Sequence, residues 1–136
     1  MRPSKPIKIN VEEIIQKTVD LILQQDKEHK IKAILLFGSH ADGTAIWRSD
    51  IDICVVFKED SPLLEAGLFR KELMGQLHDF VDLQVFNVLP LKIKRAIVDN
   101  HKILFKSPEF DEDAFTSFNH KLFFESQRRI AAVGVN

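Results

Sequence analysis

The feature that most constrains this chain is a dense apolar run, IKAILLFGS, at residues 31–39. β-Branched and aliphatic residues that follow one another up to a glycine are typical of a strand buried in a sheet. A second run, IDICVVF at residues 51–57, predicts another strand. The segment between them is short and contains Gly43, so we expect a turn or one or two helical turns there. The sequence therefore predicts a sheet at the centre of the fold.

An amphipathic helix is predicted before the first of these strands. Asn10 can accept a hydrogen bond at the start of the helix, and Glu13 completes a capping box. Apolar residues then recur at steps of three and four as far as about Lys27, which is the spacing of one helix face. These residues are Val11, Ile14, Ile15, Val19, Ile22 and Leu23.

Two Ser-Pro pairs predict later helix starts, because serine can cap a helix whose first position is proline. The pair at residues 61–62 predicts a helix to about His78, and the pair at residues 107–108 opens an acidic and then aromatic segment. The helix that follows residues 61–62 is predicted to pack through Leu64, Leu68, Leu73 and Leu77. The aromatic segment contains Phe110, Phe115, Phe118, Phe123 and Phe124. Packing on the domain and contact with a partner both remain open for it.

Residues 81–88 predict a third strand, residues 91–100 a helix and residues 102–106 a short fourth strand. The element order is then α-β-(α)-β-α-β-α-β-α, which predicts an α/β (α+β) fold with one small sheet flanked by helices. We expect a domain at residues 1–106 and a helical extension at residues 107–136.

Composition narrows the class of protein. The 136 residues suit one domain, and a single cysteine, Cys54, excludes an internal disulfide, so we expect it only to pack in the core. The formal net charge of −1 argues against extensive nucleic-acid binding. There is no apolar run long enough to span a membrane and no signal peptide, so we expect a cytoplasmic protein.

Acidic residues mark a candidate site at the start of the second strand. Asp50 and Asp52 flank Ile51, and the alternation of a strand puts both carboxylates on one face. By the same rule Asp82 lies on the face opposite to its apolar neighbours in the third strand. If the two strands pair, three carboxylates meet, which is costly unless a cation lies between them. Hard oxygen ligands of this kind suit Mg²⁺.

The Gly-Ser pair at the end of the first strand supplies the second half of this pattern. Gly38 lets the backbone approach a phosphate, and Ser39 offers a hydroxyl and an N–H donor. Three carboxylates around two metal ions would clamp the attacking and leaving oxygens of a phosphoryl displacement. Each element alone is common on solvated strand edges and helix caps. Their combination predicts a phosphoryl-transfer site.

This combination resembles the minimal nucleotidyltransferases of the DNA polymerase β superfamily, whose signature is G-S, a spacer and D-x-D. Residues 38–39, 40–49 and 50–52 carry the resemblance. It implies a mixed sheet and transfer of a nucleoside monophosphate, in the first instance AMP from ATP. It also implies that Asp50, Asp52 and Asp82 are catalytic and hold two Mg²⁺ ions, with Asp82 helping to deprotonate the acceptor hydroxyl. Gly38 and Ser39 would hold the β- and γ-phosphates.

One residue departs from the family pattern. Many relatives have arginine in the spacer, as in G-S-x-A-R-G, where this chain has Asp42. A negative charge near the expected triphosphate would weaken nucleotide binding. The cations that could compensate for it are Arg48, Lys92, Lys94 and Arg95.

Two further side chains near the motif have open roles. His40 follows the Gly-Ser pair and could touch a phosphate or a metal, or could lie on the surface. Trp47 could stack on a base, but we expect it to cover the small core.

The resemblance also implies a partner, because stand-alone minimal nucleotidyltransferases commonly occur with a helical HEPN protein as the antitoxin of a toxin–antitoxin pair. The chain contains no tyrosine, so it cannot modify itself on tyrosine. Two alternatives stay open. One is a small-molecule acceptor such as an aminoglycoside, with a homodimer completing the acceptor pocket. The other is a catalytically weak module that silences its partner by contact.

Overall fold

Four strands form one mixed sheet in the computed structural model, which describes residues 10–132. The strands are β1 (Ile31–Phe37), β2 (Ile51–Phe57), β3 (Val81–Val85) and β4 (His101–Lys106). Strands β2 and β3 run parallel, whereas β1 is antiparallel to both β2 and β4. The strand order across the sheet is β3-β2-β1-β4, which puts the two most apolar strands at the centre. The predicted fold class is confirmed.

Helices cover both faces of this sheet. They are α1 (Val11–Gln25), α2 (Ser39–Asp42), α3 (Leu63–Met74), α4 (Leu91–Asp99) and α5 (Glu112–Ala132), with one 3₁₀ turn at Phe86–Val88. The predicted α1 cap is confirmed, since the Asn10 side chain accepts the Glu13 N–H at 3.1 Å. Within residues 10–132, no helix has both the length and the apolar character that crossing a membrane requires.

Alternation along β2 divides the core into two layers. Ile51, Ile53, Val55 and Phe57 share one cluster with residues of α1 and α3. Cys54 and Val56 face the other way and share a second cluster with Ile97 and Val98 of α4 and with Phe110. Asp52 has the parity of Cys54, so its side chain projects from the α4 side of the sheet, at the end where β2 begins. The predicted separation of the acids from the neighbouring isoleucines is confirmed.

The predicted packing face of α3 is wrong in part. Leu73 is buried and Leu77 packs on the core, but Leu64 is 77% exposed and Leu68 is 49% exposed. The helix instead packs through positions 66, 69, 70 and 73, which is the three- and four-residue spacing of one face. Arg70 fixes this orientation, because its Nε donates to the carbonyl oxygen of Leu83 in β3 at 2.6 Å.

Neither Ser-Pro pair caps a helix as predicted. Pro62 is itself the N-cap of α3 in an extended conformation, and the buried Ser61 hydroxyl has no hydrogen-bond partner. Ser107 begins a turn that the Phe110 N–H closes at 3.1 Å. Helix α5 starts later, after Asp111, whose carboxylate accepts the Ala114 N–H at 3.1 Å. Proline holds the chain extended at the first pair, so the helix begins one residue later than expected.

The phenylalanine-rich segment packs on the domain through some of its rings and exposes others. Phe110 is buried, and the Phe115 ring lies 4.9 Å from that of Phe86. Phe118 and Phe124 are 60% and 63% exposed, so these two rings do not pack on the domain. Two side-chain hydrogen bonds attach α5 to the sheet and to α4, namely His101–Glu112 at 2.7 Å and His120–Asp99 at 2.6 Å. The last residues of the predicted extension, 133–136, lie outside the described residues.

The buried Cys54 thiol gives a test of this packing. Burial raises its pKa to about 12, so at pH 8 only about one thiol in 10⁴ would be the reactive thiolate. We expect iodoacetamide to leave Cys54 unmodified in the native protein and to alkylate it fully in concentrated guanidinium chloride, as followed by mass spectrometry. Rapid alkylation in native buffer would show that the core opens at β2.

Candidate active site

The backbone turns sharply where β1 ends, and Gly38 makes the turn possible. Its φ of +72° and ψ of −153° are strained for any residue with a side chain. Its carbonyl oxygen accepts the N–H groups of Ala41 and Asp42 at 3.0 and 3.1 Å, which starts the single turn of α2. A Cβ atom on Gly38 would lie 2.2 Å from Oδ2 of Asp52. The missing side chain is therefore what leaves room for the Asp52 carboxylate.

Strand register brings the predicted acids together. Asp52 pairs with Phe37 of β1 on one side and with Asp82 of β3 on the other. Asp50 directly precedes the first residue of β2. The Asp82 carboxylate accepts a hydrogen bond from the Gln84 amide at 3.0 Å. The structure thus gathers Gly38 and the three carboxylates at one end of the sheet, with Asp52 in the middle.

Electrostatics show that the gathered carboxylates repel one another. The pKa of Asp52 is raised, first by partial burial and then by the charges of Asp82 and Asp50, while His40 acts in the opposite direction. His40 therefore belongs to the site, and its Nε2 also lies 3.3 Å from the carbonyl oxygen of Ser49. Accumulated negative charge of this kind is relieved by a bound cation.

The donor set fits a hard divalent cation. Asp50, Asp52 and Asp82 offer only oxygen ligands, which is the chemistry that Mg²⁺ prefers. Across residues 10–132, no three or more His, Cys, Asp or Glu side chains are already arranged as a metal site. The carboxylates would therefore have to turn toward an ion on binding. Their placement and the repulsion at Asp52 both favour that change.

A short, well-anchored turn joins α2 to the acids. The Ile46 N–H donates to the Ser49 hydroxyl at 2.9 Å, and the Ser49 N–H donates to the Ile46 carbonyl at 3.0 Å. Trp47 is at the tip of this turn and is 64% exposed. The expectation that Trp47 covers the core is therefore wrong, because both faces of the sheet are already filled by helices.

Asp42, the residue that departs from the family pattern, has a local structural role. Its carboxylate accepts the Thr44 N–H at 3.0 Å and the Thr44 hydroxyl at 2.5 Å. The hydrogen bond from the Thr44 hydroxyl is the main reason that the pKa of Asp42 is lowered. Gly43 follows in a left-handed conformation and ends α2. Asp42 thus closes the helix, as short polar residues do in turns.

Two of the four cations expected to compensate for Asp42 have other contacts. Arg95 pairs with Asp99 at 2.9 Å and lies 4.8 Å from the centre of the Phe123 ring. Lys94 lies over the Phe86 ring, and burial lowers its pKa. Lys92 is exposed on α4. Arg48 is next to the acids in sequence and lies 5.5 Å from the centre of the Trp47 ring.

Two residues near the acids, Gln84 and His40, are not assigned to the site by the sequence pattern. Gln84 has the same strand parity as Asp82 two residues earlier, so the alternation rule would have placed it beside that carboxylate. His40 has no comparable signal, because its approach to Asp52 depends on the turn at Gly38.

Comparison with known proteins identifies the family of this arrangement. A model of the family "Polymerase beta, Nucleotidyltransferase" matches residues 17–110. A Methanocaldococcus jannaschii protein named "Putative protein adenylyltransferase MJ1547" is 36% identical over 101 residues, which are 74% of this chain and 76% of the relative.

Solved structures share the fold. One is a toxin–antitoxin complex with AMP-PNP, with 23% identity and a TM-score of 0.65 over 87% of this chain and 94% of the other. A second comes from a complex described as a tri-AMPylated Shewanella oneidensis HEPN toxin with an MNT antitoxin. It is 21% identical, with a TM-score of 0.60 over 88% of this chain and 94% of the other.

The Gly38 contact can be tested against a matched glycine. Gly43 also has a positive φ, of +82°, but a Cβ there meets nothing within 4 Å. We expect Gly38→Ala and Gly43→Ala each to lower the free energy of unfolding by about 1–3 kcal/mol through backbone strain. Only Gly38→Ala should also displace the Asp52 carboxylate and abolish nucleotidyl transfer. Equal activity of the two variants would contradict a role for this contact.

The repulsion at Asp52 predicts a gain of stability on its removal. Folding raises the pKa of Asp52. Below the pKa of the unfolded state, about 3.9, the carboxyl is protonated in both states and causes no repulsion. As the pH rises through the pKa of the folded state, the carboxylate ionises and the folded state loses stability. Without divalent cations, we expect Asp52→Asn to melt at a higher temperature than wild type at pH 7 and this advantage to shrink at about pH 3. Calorimetry in a chelator measures this, with the exposed Asp60→Asn as control. A lower melting temperature than wild type at pH 7 would contradict the repulsion.

Proposed function

This chain belongs to the polymerase β nucleotidyltransferase family, and we propose that it transfers AMP from ATP to a hydroxyl group of a partner protein. The observation that carries the proposal is the pairing of Asp52 with Asp82 in adjacent parallel strands, next to Gly38. Carboxylates gathered in this way suit two-metal phosphoryl transfer. The name of the Methanocaldococcus relative supports AMP as the group and a protein as the acceptor.

The residues of the site have the following roles in this proposal. Asp50, Asp52 and Asp82 would hold two Mg²⁺ ions, which when bound stabilise the charge on the transferred phosphoryl group. Gly38 and Ser39 would hold the β- and γ-phosphates, with the Ser39 hydroxyl and N–H as hydrogen-bond donors. The acceptor oxygen bonds to the α-phosphorus, pyrophosphate leaves, and the acceptor proton passes to the Asp82 carboxylate.

We propose that the acceptor is a HEPN-type helical protein. The complex of an AMPylated HEPN toxin with an MNT antitoxin, whose antitoxin has this fold, supports this class of partner. A tyrosine acceptor would have to belong to the partner, because this chain contains none. The exposed Phe118 and Phe124 of α5 offer apolar surface for the contact. We propose that residues 1–106 form the catalytic domain and residues 107–136 a C-terminal extension. Dependence on ATP favours a cytoplasmic location.

Label transfer tests the reaction and the acceptor together. The protein is incubated with α-labelled ATP and Mg²⁺ in an extract of source cells. We expect one labelled protein band, which chelation of divalent cations removes. The Asp50→Asn/Asp52→Asn protein should give no band, because it lacks two of the three carboxylates. The matched control is Asp60→Asn, which removes an exposed carboxylate beyond the other end of β2.

The other outcomes decide between the alternatives. Label found only in small molecules would contradict a protein acceptor and favour a metabolite or drug. No transfer by the folded wild-type protein, together with binding to its partner, would favour silencing by contact alone.

A further inference from the structure

The side chain of Trp47 is on the surface beside the candidate active site. It is 64% exposed, although tryptophan is usually highly buried on average. Trp47 is three positions before Asp50, so their Cα atoms are at most about 11 Å apart. That distance is within the length of one nucleotide. A flat aromatic surface in this place is therefore within reach of a ligand whose phosphates lie at the acids.

Hydrogen bonds within the turn hold the backbone that carries Trp47. Ile46 and Ser49 exchange two hydrogen bonds across it, at 2.9 and 3.0 Å. His40 joins the same turn to α2 through the carbonyl oxygen of Ser49. A side chain on an anchored turn loses little conformational freedom on binding, which favours affinity.

Arg48 gives this surface a positive charge. Its guanidinium lies 5.5 Å from the centre of the Trp47 ring. Among residues 10–132, no carboxylate is within ion-pair distance of it. An aromatic ring next to a cation with no carboxylate partner suits a ligand that is both flat and anionic.

We propose that Trp47 is the stacking platform for the base of the nucleoside triphosphate, with Arg48 directed toward its phosphates. The inference rests on the proposed function and adds the residue that binds the base. Stacking accepts any base, because every base has a π-face. The site would therefore favour nucleotides over phosphate chains without selecting strongly among bases. A protein docking on the exposed turn is the competing explanation.

Fluorescence tests the proposal directly, because Trp47 is the only tryptophan and the chain has no tyrosine. Emission excited at the indole therefore reports Trp47 alone. With Mg²⁺ present, we expect ATP to change the emission of the full chain in a saturable way. Tripolyphosphate, which has the phosphates without the base, should leave it nearly unchanged. Equal changes with both ligands would overturn stacking.

Variants measure the contribution of the ring. Calorimetric titration with ATP should show binding weakened by roughly 5- to 150-fold in Trp47→Leu, which corresponds to about 1–3 kcal/mol of stacking per base. Trp47→Phe keeps an aromatic ring and should recover most of the affinity. Val88→Ala, a change at an exposed apolar residue beyond the other end of β3, should bind ATP like wild type. ATP binding that Trp47→Leu leaves unchanged would overturn the proposal, and loss of transfer to the acceptor alone would identify a docking surface.

Failure of this inference is separable from failure of the proposed function. Nucleotide binding is measured without an acceptor, whereas label transfer requires one. Saturable quenching by ATP without any label transfer would support Trp47 as the platform and contradict AMP transfer. If Trp47→Leu transfers label at the full rate at low ATP, AMP transfer is supported and the role of Trp47 as the platform is contradicted. A wild-type chain that does not bind ATP would overturn both.

Discussion

The close approach of the Asp52 carboxylate to the backbone of Gly38 is the contact on which the rest of the site depends. It requires a residue without a Cβ, a positive φ at the end of β1, and an antiparallel neighbour strand in register. The same glycine starts α2 and so positions His40 near Asp52. One backbone conformation therefore sets the distance between the Gly-Ser turn and the acids. Ten residues lie between Ser39 and Asp50, the first of these acids, but the turn and the acids are adjacent in space.

The core supports this strained and repulsive end of the sheet. Strand β2 is central, and its apolar residues are buried on both faces. Its position is therefore fixed over its whole length, and Asp52 cannot move away from Asp82 without breaking the parallel pairing. Repulsion that a flexible loop would relieve by moving is retained here, as it is in many functional sites. A cation held by these carboxylates, as proposed, would relieve the repulsion and stabilise the fold.

Alternation along the strands made the acid cluster predictable from the sequence. In both strands the apolar residues that alternate with Asp52 and Asp82 must face the core, so the two acids must face the other side of the sheet. Burial of those apolar residues also determines where the strands lie. The packing face of α3 was not predictable in this way, because apolar residues occur all around the helix. Tertiary contacts select the face, among them the Phe69 ring against Phe57 and the Arg70 hydrogen bond to β3. The exposure of Trp47 could not be predicted either, because the helices that cover the two faces of the sheet come from distant parts of the chain.

The distribution of positive charge follows from the same packing. Arg95 forms an ion pair with Asp99, and the Lys94 ammonium lies over the Phe86 ring, so both cations stabilise α4 in its place. Asp42 directs its carboxylate to Thr44 and closes α2. The charge of a triphosphate at the acids would therefore be balanced by cations bound there and by Arg48, which is on the same turn as the exposed indole. Phosphate binding and base binding would then depend on one short segment, residues 47–52, in which the proposed recognition residues directly precede β2, the strand that contains Asp52.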